Sequence, residues 1–484
     1  MKNTSYIKGL IAKKAYEDDS TMLRCHGPVE AMEKLKEKLT LVNKSVGFQI
    51  RMSKQRVEEY SRRQDQYAKE QLPKELEKLK NLQDELFQEY WVEKDGDLIV
   101  PAGFWFLMEK ITDDSHLNTV IKPYNVDGQR DYQKEMLAEM LKYKRSTGVL
   151  ATGLGKTRCV ISLAMSALSA GYRPIIIAPT KDLVDQFISD TKPFHESVTG
   201  VYSGKYPKQG ADILVSTVGV AKRYIDSYDV VIIDESHHSV ANSWANLLGS
   251  CKHAEYVYNF TATPFRSDGL DLGISAFGGP VVFERDVVWG IQNDYLEHFD
   301  VYLVRIPALD KDGNKIIVPG DKNNMIAFSH LCSNDHFISK VAKLIERPYK
   351  EGRKIIYLSK TLKSANLLKK ATRSTINFRV ADANFKKPLR DFQNGDTDIL
   401  VATAKLVGEG INIPDADFLI INLQNSSDGM TLQVLGRVLR KSKVKRKPIV
   451  IDIIATGYSG YDAAARNRAK VWSKAADKVL TLTL

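Results

Sequence analysis

Short apolar runs, each stopped by a polar or glycine-bearing loop, recur along most of this chain, and that rhythm leaves few folds open. Between about Tyr124 and Phe299 they read "GVLATG", "RPIIIAPT", "DILVST", "DVVIIDE" and "VYNFTATP". The runs are rich in β-branched residues and alternate with helical patterns. Strands of that kind are buried on both faces and run parallel, with helices on either side. A ligand of such a sheet lies beyond the carboxyl ends of its strands. From about Asp300 the rhythm restarts in "KIIYLSKT", "DILVATAK", "DFLIINLQ" and "PIVIDII", so a second α/β domain of similar size follows.

The first 120 residues differ. From Met52 to Tyr90 the chain is rich in Lys, Glu, Gln and Arg, and Leu72, Leu76, Leu79, Leu86 and Tyr90 recur at helical spacing, with Pro73 near the start. The stripe lasts barely three heptads, which favours a packed helix over a coiled-coil dimer. In "VEKDGDLIVPAGFWFLMEKI" a turn at Asp95-Gly96, a short strand and an aromatic-rich helix are expected. The expected fold class is α/β: two parallel-sheet domains, residues 121–300 and 301–484, preceded by a small α+β accessory domain, residues 1–120, a candidate duplex-DNA-binding domain.

A length of 484 residues exceeds one ordinary core. The net charge of +11 favours a polyanionic partner such as nucleic acid. No apolar run approaches the roughly 18 residues of a membrane span, and the start shows neither an apolar h-region nor a cleavage site. Cys25, Cys159, Cys251 and Cys332 form no C-x-x-C pair, which argues against a zinc ribbon and a disulfide framework. The cytoplasm is the expected compartment, with no membrane partner.

"ATGLGKT", Ala151–Thr157, closes the first strand and opens an apolar helix. Glycines such as Gly153 and Gly155 let backbone N–H groups crowd around phosphate oxygens, and the helix N-terminus adds its positive end. Lys156 can then reach the outer phosphates of ATP, and the Thr157 hydroxyl can ligate Mg2+. Leu150 stands where the general pattern has glycine. Downstream, "VVIIDESHH" ends a buried strand on Asp234 and Glu235, followed by His237 and His238. Zinc would need ligands from elsewhere, since H-x-x-x-H spacing is missing. A structural turn would crowd two carboxylates without a cation. A magnesium-nucleotide site accounts for both, with Asp234 holding the metal and Glu235 orienting and deprotonating the attacking water.

The order "RDYQ" (130–133), "ATGLGKT", "APTKDLVDQF" (178–187), "STVGVA" (216–221), "DESH" (234–237), "TATPFR" (261–266), "YLSKTLKSANLL" (357–368), "ILVATAKLVGEGINIP" (399–414) and "QVLGRVLR" (433–440) resembles the motifs of superfamily 2 helicases over roughly residues 124–455. It is similar to the DExH branch, nearer XPB-like and phage UvsW-like DNA helicases than DEAD-box enzymes. The resemblance implies two RecA-like domains that sandwich ATP, with Arg437 and Arg440, three apart on one helix face, meeting the γ-phosphate charge. It implies adenine reading by Gln133, and nucleotide contact at Gly410, in a motif where Asn412 replaces the usual acid. His237 would relay nucleotide state to the loop of Thr261 and Thr263. Strand contacts would come from Thr180, Lys181, Thr217, Arg266, Lys360 and Thr403, independent of base sequence.

The implied function is an ATP-dependent DNA helicase or translocase, a monomer that remodels branched DNA by branch migration or fork regression in replication, recombination or repair. "LIVPAGFWFLMEKI" is similar to the segment preceding the motor in UvsW-type phage enzymes. The rivals are an RNA helicase, a restriction-complex motor, and a non-hydrolysing nucleic-acid-binding module. Lys441, Lys443, Lys445, Arg446 and Lys447 form either a contact for duplex arms or a solvated loop. A hairpin is expected around Asp312-Gly313, as a strand-separating pin or an edge element. Its Asp310, Asp312, Asn314 spacing fails as a calcium loop, because glycine comes at position four instead of six.

Overall fold

A computed structural model of the chain describes residues 6–16, 19–42, 44–63, 65–84, 87–112, 119–201, 211–236, 254–262, 275–276, 278–316, 324–372, 376, 378, 380–381, 387–403, 416–423, 434–442, 446–457 and 459–484. It divides into two compact units, Met1–Leu150 with Gly155–Glu284, and Ala151–Leu154 with Arg285–Leu484.

The first unit begins with β1 (Ile7–Tyr16), β2 (Asp19–His26), α1 (Val29–Leu39) and β3 (Thr40–Val42). A helical hairpin follows, α2 (Lys44–Arg62) and α3 (Gln66–Asp84), and the chain returns through β4 (Phe87–Glu89), β5 (Val92–Lys94), β6 (Asp97–Pro101) and β7 (Met108–Ile111). Five strands make one mixed sheet in the order β5-β6-β2-β1-β7, and β3 pairs with β4. The β5–β6 turn puts Asp95 at φ 53° and Gly96 at φ 80°, both positive as a two-residue I′ hairpin turn requires.

Two expectations fail here. The helical stripe does not reach Tyr90: α3 ends at Asp84 with Pro73 inside it, and Tyr90 instead stacks edge-on against Phe104 at 5.9 Å. Leu76 is exposed, and Leu86 lies outside the described residues. The aromatic run is no full helix either. Ala102–Leu107 is one 3-10 stretch leading straight into β7.

That stretch fastens the mixed sheet to the rest of its unit. Trp105 stacks on Tyr143 at 4.8 Å, and its Nε1 donates to Arg145 O at 3.2 Å. A Cβ at Gly103 would stand 1.9 Å from Ser275 O and 2.6 Å from Ala276 O. Backbone cannot yield as a side-chain tip can, so Gly103→Ala should cost about 2 kcal/mol or more. Melting should shift downward, and hydrogen exchange in β1 should speed up more than in the parallel-sheet strands of the same unit. Unchanged exchange in β1 would show that the packing tolerates a methyl group.

The remainder of the unit is a seven-stranded sheet: β8 (Arg145–Leu150), β9 (Pro174–Ala178), β10 (Val198–Val201), β11 (Ile213–Thr217), β12 (Val230–Ile233), β13 (Tyr256–Thr261) and β14 (Val281–Arg285), in the order β10-β11-β9-β12-β13-β8-β14. Its described registers are parallel. The helices α4 (Asp131–Met140), α5 (Lys156–Ser169) and α6 (Lys181–Thr191) pack on it. β8, β9 and β12 are buried throughout, as double-sided cover demands.

The second unit repeats the plan with β15 (Asp300–Pro307), β16 (Ile355–Ser359), β17 (Val380–Ala381), β18 (Ile399–Thr403), β19 (Phe418–Asn422), β20 (Ile449–Thr456) and β21 (Lys478–Thr483), ordered β17-β18-β16-β19-β20-β15-β21. A buried ion pair pins its last helix, Ser459–Ala475, to β20: Arg468 Nε and Asp452 Oδ2 lie 2.9 Å apart, and Trp472 Nε1 donates to the same oxygen at 2.9 Å. The expected hairpin forms around Gly313 through a Leu309–Lys315 bridge, and residues 317–323 lie outside the described residues. The Asp310 carboxylate accepts the N–H groups of Asn314 and, more weakly, Asp312, which holds it below the usual carboxylate range.

Candidate active site

The register of the first seven-stranded sheet gathers the candidate residues at one edge. Ile233 pairs with Asn259, so Asp234 and Glu235 leave β12 level with the end of β13, where Thr261 pairs with Val149 of β8. Thr217 pairs with Ala178, which places Thr217 and Thr180 at the matching ends of β11 and β9. The carboxyl ends of these parallel strands form the crevice where such sheets take ligands.

The loop from β8 to α5 turns on two glycines with positive φ, Gly153 at 93° and Gly155 at 79°. Gly155 is the N-cap of α5, and a Cβ there would meet Gln133 Nε2 at 2.4 Å. Gln133 is itself buried. Its Oε1 accepts from Arg130 N at 2.9 Å, closing a capping box on α4, and its Nε2 donates to Gly155 O at 3.3 Å. The resemblance implies a base contact for this amide, and sequence reasoning missed its grip on the loop at Gly155. The S/T-x-x-Q form of the capping box would have flagged it, but arginine holds the cap position here.

Lys156 opens α5 and points at both acids. Its Nζ lies 2.9 Å from Asp234 Oδ1 and 2.5 Å from Glu235 Oε1, with the lysine side chain only 12% exposed and that of Asp234 4%. Burial works against charge on Lys156, but the two carboxylates outweigh it and raise the lysine pKa. Burial also raises the Asp234 carboxyl, with the Lys156 ammonium opposing it. Glu235 occupies left-handed backbone at φ 50°. A residue with a Cβ is costly there, by about 1–2 kcal/mol, and such strain persists where surrounding structure fixes it, often at functional sites. The carboxylates of Asp234 and Glu235 and the hydroxyl of Thr157 are hard oxygen donors of the kind Mg2+ takes.

In the second unit, Ser359 pairs with Thr403, so Thr403 and Lys360 stand at the ends of adjacent strands. Lys360 Nζ sits 6.0 Å over the Phe328 ring, and partial burial lowers its pKa. The two arginines do not share a helix face. Helix covers 434–438 and includes the buried Arg437, whereas Arg440 lies past it, bridged to Leu296. Backbone pairing with Leu296 takes Arg440 out of helical geometry, so three-residue spacing says nothing about a shared face. Within this same unit Gly436 packs against the segment Thr152–Gly153, where a Cβ on Gly436 would stand 2.2 Å from Thr152 O. Arg446 donates to Glu351 O at 2.7 Å and Lys447 pairs with Asp300 at 2.7 Å and Asp477 at 3.0 Å, so these two serve the unit's own structure. Lys181 is exposed at the start of α6, whose N-cap is Thr180. His237, Thr263, Arg266 and Gly410 lie outside the described residues.

Comparison with known proteins gives the family. The chain matches the family described as type III restriction enzyme, res subunit, over residues 128–266, and the helicase conserved C-terminal domain over residues 338–442. It is 24% identical over 383 residues to DNA 3'-5' translocase XPB2 of Sulfurisphaera tokodaii, covering 70% of this chain and 84% of that one. The structure of the ATP-dependent type ISP restriction-modification enzyme LlaBIII bound to DNA aligns with 75% of this chain and 31% of its own, at TM-score 0.53 and 15% identity. That of Saccharomyces cerevisiae Dbp5 bound to RNA and ADP BeF3 aligns with 73% and 89%, at TM-score 0.50 and 13% identity. These two likenesses are of fold: RecA-like domains built on parallel sheets. With its nucleotide motifs in order and both helicase domains matched, this chain belongs to the superfamily 2 helicases, which are ATP-dependent enzymes.

Proposed function

We propose that the protein is a DNA translocase that remodels branched DNA, by branch migration or fork regression, in replication, recombination or repair. The observation that carries the motor reading is the buried Lys156–Asp234–Glu235 cluster at the carboxyl ends of a parallel sheet. DNA as the track is supported by the net charge of +11 and by the relative named a DNA 3'-5' translocase. Branched DNA is supported by the mixed N-terminal sheet fixed to the first parallel sheet through Trp105, which offers a second surface that moves with the motor.

In this reading the backbone around Gly153 and Gly155 cradles phosphates, and Lys156 turns from the acids to the outer phosphates. Thr157 and Asp234 hold Mg2+, which when bound with ATP offsets phosphate charge. Glu235 orients water and accepts its proton. Gln133 steadies the loop and stays beside the base site, Gly410 contributes to the nucleotide site, and Arg437 and Arg440 stabilise charge on the transferring phosphate. His237, Thr261 and Thr263 relay the nucleotide state. Thr180, Lys181, Thr217, Arg266, Lys360 and Thr403 hold strand phosphates. The protein acts as a monomer in the cytoplasm of a bacterium or a phage-infected host.

Phosphate release measured with single-stranded DNA, duplex, four-way junction and RNA tests this. The junction should stimulate hydrolysis most and RNA least. Stimulation by RNA alone would replace the reading with an RNA helicase, and absence of hydrolysis with every substrate would leave a binding module.

A further inference from the structure

Away from the nucleotide site, the N-terminal domain contains a cleft of about 540 Å³ between the start of β1 and the helix α1. Its floor depends on close backbone approach. Gly9 has φ 85° where the β1–β7 register shifts, and its N–H donates to the Glu109 carboxylate. A Cβ on Gly9 would meet the Pro28 ring at 3.1 Å, and one on Gly27 would meet Gly9 O at 2.7 Å. Irregular strands of this kind re-aim side chains, and they concentrate near functional sites.

The irregular strand carries Lys8, and the helix opposite carries the other charges. Lys8 enters the cleft wall from β1, and Lys34 and Lys38 from α1. Two carboxylates oppose these lysines: Glu30 in the wall, which Lys34 takes at 2.7 Å, and Glu109, which accepts from Gly9 N–H at the floor. Lys36, also on α1, pairs instead with Glu33 and Glu93, both at 3.0 Å. Residues 1–120 hold 20 lysines and arginines against 21 aspartates and glutamates, so this excess is local to the cleft and not a property of the domain. At the rim stands Tyr6, 56% exposed. A positive groove with an aromatic ring beside it is the combination that binds a single strand without regard to sequence, through phosphates and one stacked base.

We propose that this cleft is a second nucleic-acid site, which grips a single-stranded segment of the substrate by its phosphates on Lys8, Lys34 and Lys38 and stacks a base on Tyr6. The inference rests on nucleic acid being the substrate. It adds a contact that the motor domains do not contain, fixed to the first parallel sheet and therefore carried along with it.

Binding of the full chain to a fluorescent single-stranded oligonucleotide, followed by anisotropy across a salt series, tests the proposal. Each phosphate neutralised contributes about 0.7 to the slope of log affinity against log salt for a single strand, so a Lys8→Ala, Lys34→Ala, Lys38→Ala variant should lose about 2 from that slope. Tyr6→Ala should weaken binding about tenfold at fixed salt and leave the slope unchanged. Nucleic-acid-independent ATP hydrolysis and the melting temperature should match wild type in both variants. Wild-type affinity and slope in both would overturn the proposal. So would a slope loss of about 2.7 confined to duplex with no effect of Tyr6, which would make the occupant a duplex arm. A wild-type protein whose hydrolysis no nucleic acid stimulates would instead overturn the broader functional reading.

Discussion

Lys156→Ala is expected to bring ATP hydrolysis down by at least about a hundredfold to a thousandfold, the range lost when one preorganised donor to a developing charge is removed. Backbone N–H groups around Gly153 and Gly155 remain in the variant, but none of them carries a full charge or can follow the outer phosphate. A second consequence follows from where the ammonium lies. It stands within 2.9 Å of both Asp234 and Glu235, and the Asp234 side chain is only 4% exposed. Removing it leaves two carboxylates crowded in low dielectric, where a buried charge stripped of its partner costs roughly 3–5 kcal/mol unless it takes up a proton. Lys156→Met strips the acids in the same way but keeps the stem, so it belongs beside Lys156→Ala to separate lost charge from lost packing, and the fold of both is checked directly. Both variants should stay folded by near-ultraviolet circular dichroism and both should be inactive. Turnover near wild type in a folded Lys156→Met protein would show that the lysine serves only to neutralise the acids, and the nucleotide-site assignment would fall.

What the sequence revealed about this site was local. The loop around Lys156 and the acids at 234–235 each lie within a few residues of a strand end, and parallel registers bring all strand ends to one edge without further information. Side-chain partners across elements were hidden. Nothing in the spelling "RDYQ" says that Gln133 bonds Gly155 O, because that contact depends on how α4 packs beside α5. The pair Arg437 and Arg440 misled for the opposite reason: three-residue spacing implies a shared face only while the backbone stays helical, and a long-range bridge to Leu296 ends that. The stripe from Leu72 to Tyr90 failed similarly, since a helical period cannot announce that β4 begins at Phe87. Gly103 is the converse case. Nothing in its sequence context marks it, and only the approach of Ser275 O shows why a side chain does not fit.

Glu235→Gln separates proton transfer from binding, and its expected result is ATP affinity near wild type with turnover slower by about a hundredfold to ten-thousandfold. The substitution keeps the volume of the side chain and an oxygen that Lys156 can still bond, so the cluster loses a charge without losing its packing. Backbone strain changes little, because glutamine and glutamate carry the same Cβ at φ 50°. In the proposed site the metal ion would rest on Asp234 and Thr157, which the substitution leaves in place. What an amide cannot do is take a proton from water, so the loss should fall on the chemical step. A fluorescent ATP analogue titrated in the presence of Mg2+ reports binding, and single-turnover phosphate release reports the step. If binding and turnover collapse together, Glu235 is a ligand of the nucleotide-bound metal, and the base must be sought elsewhere. If turnover survives, the strained position of Glu235 serves the fold alone.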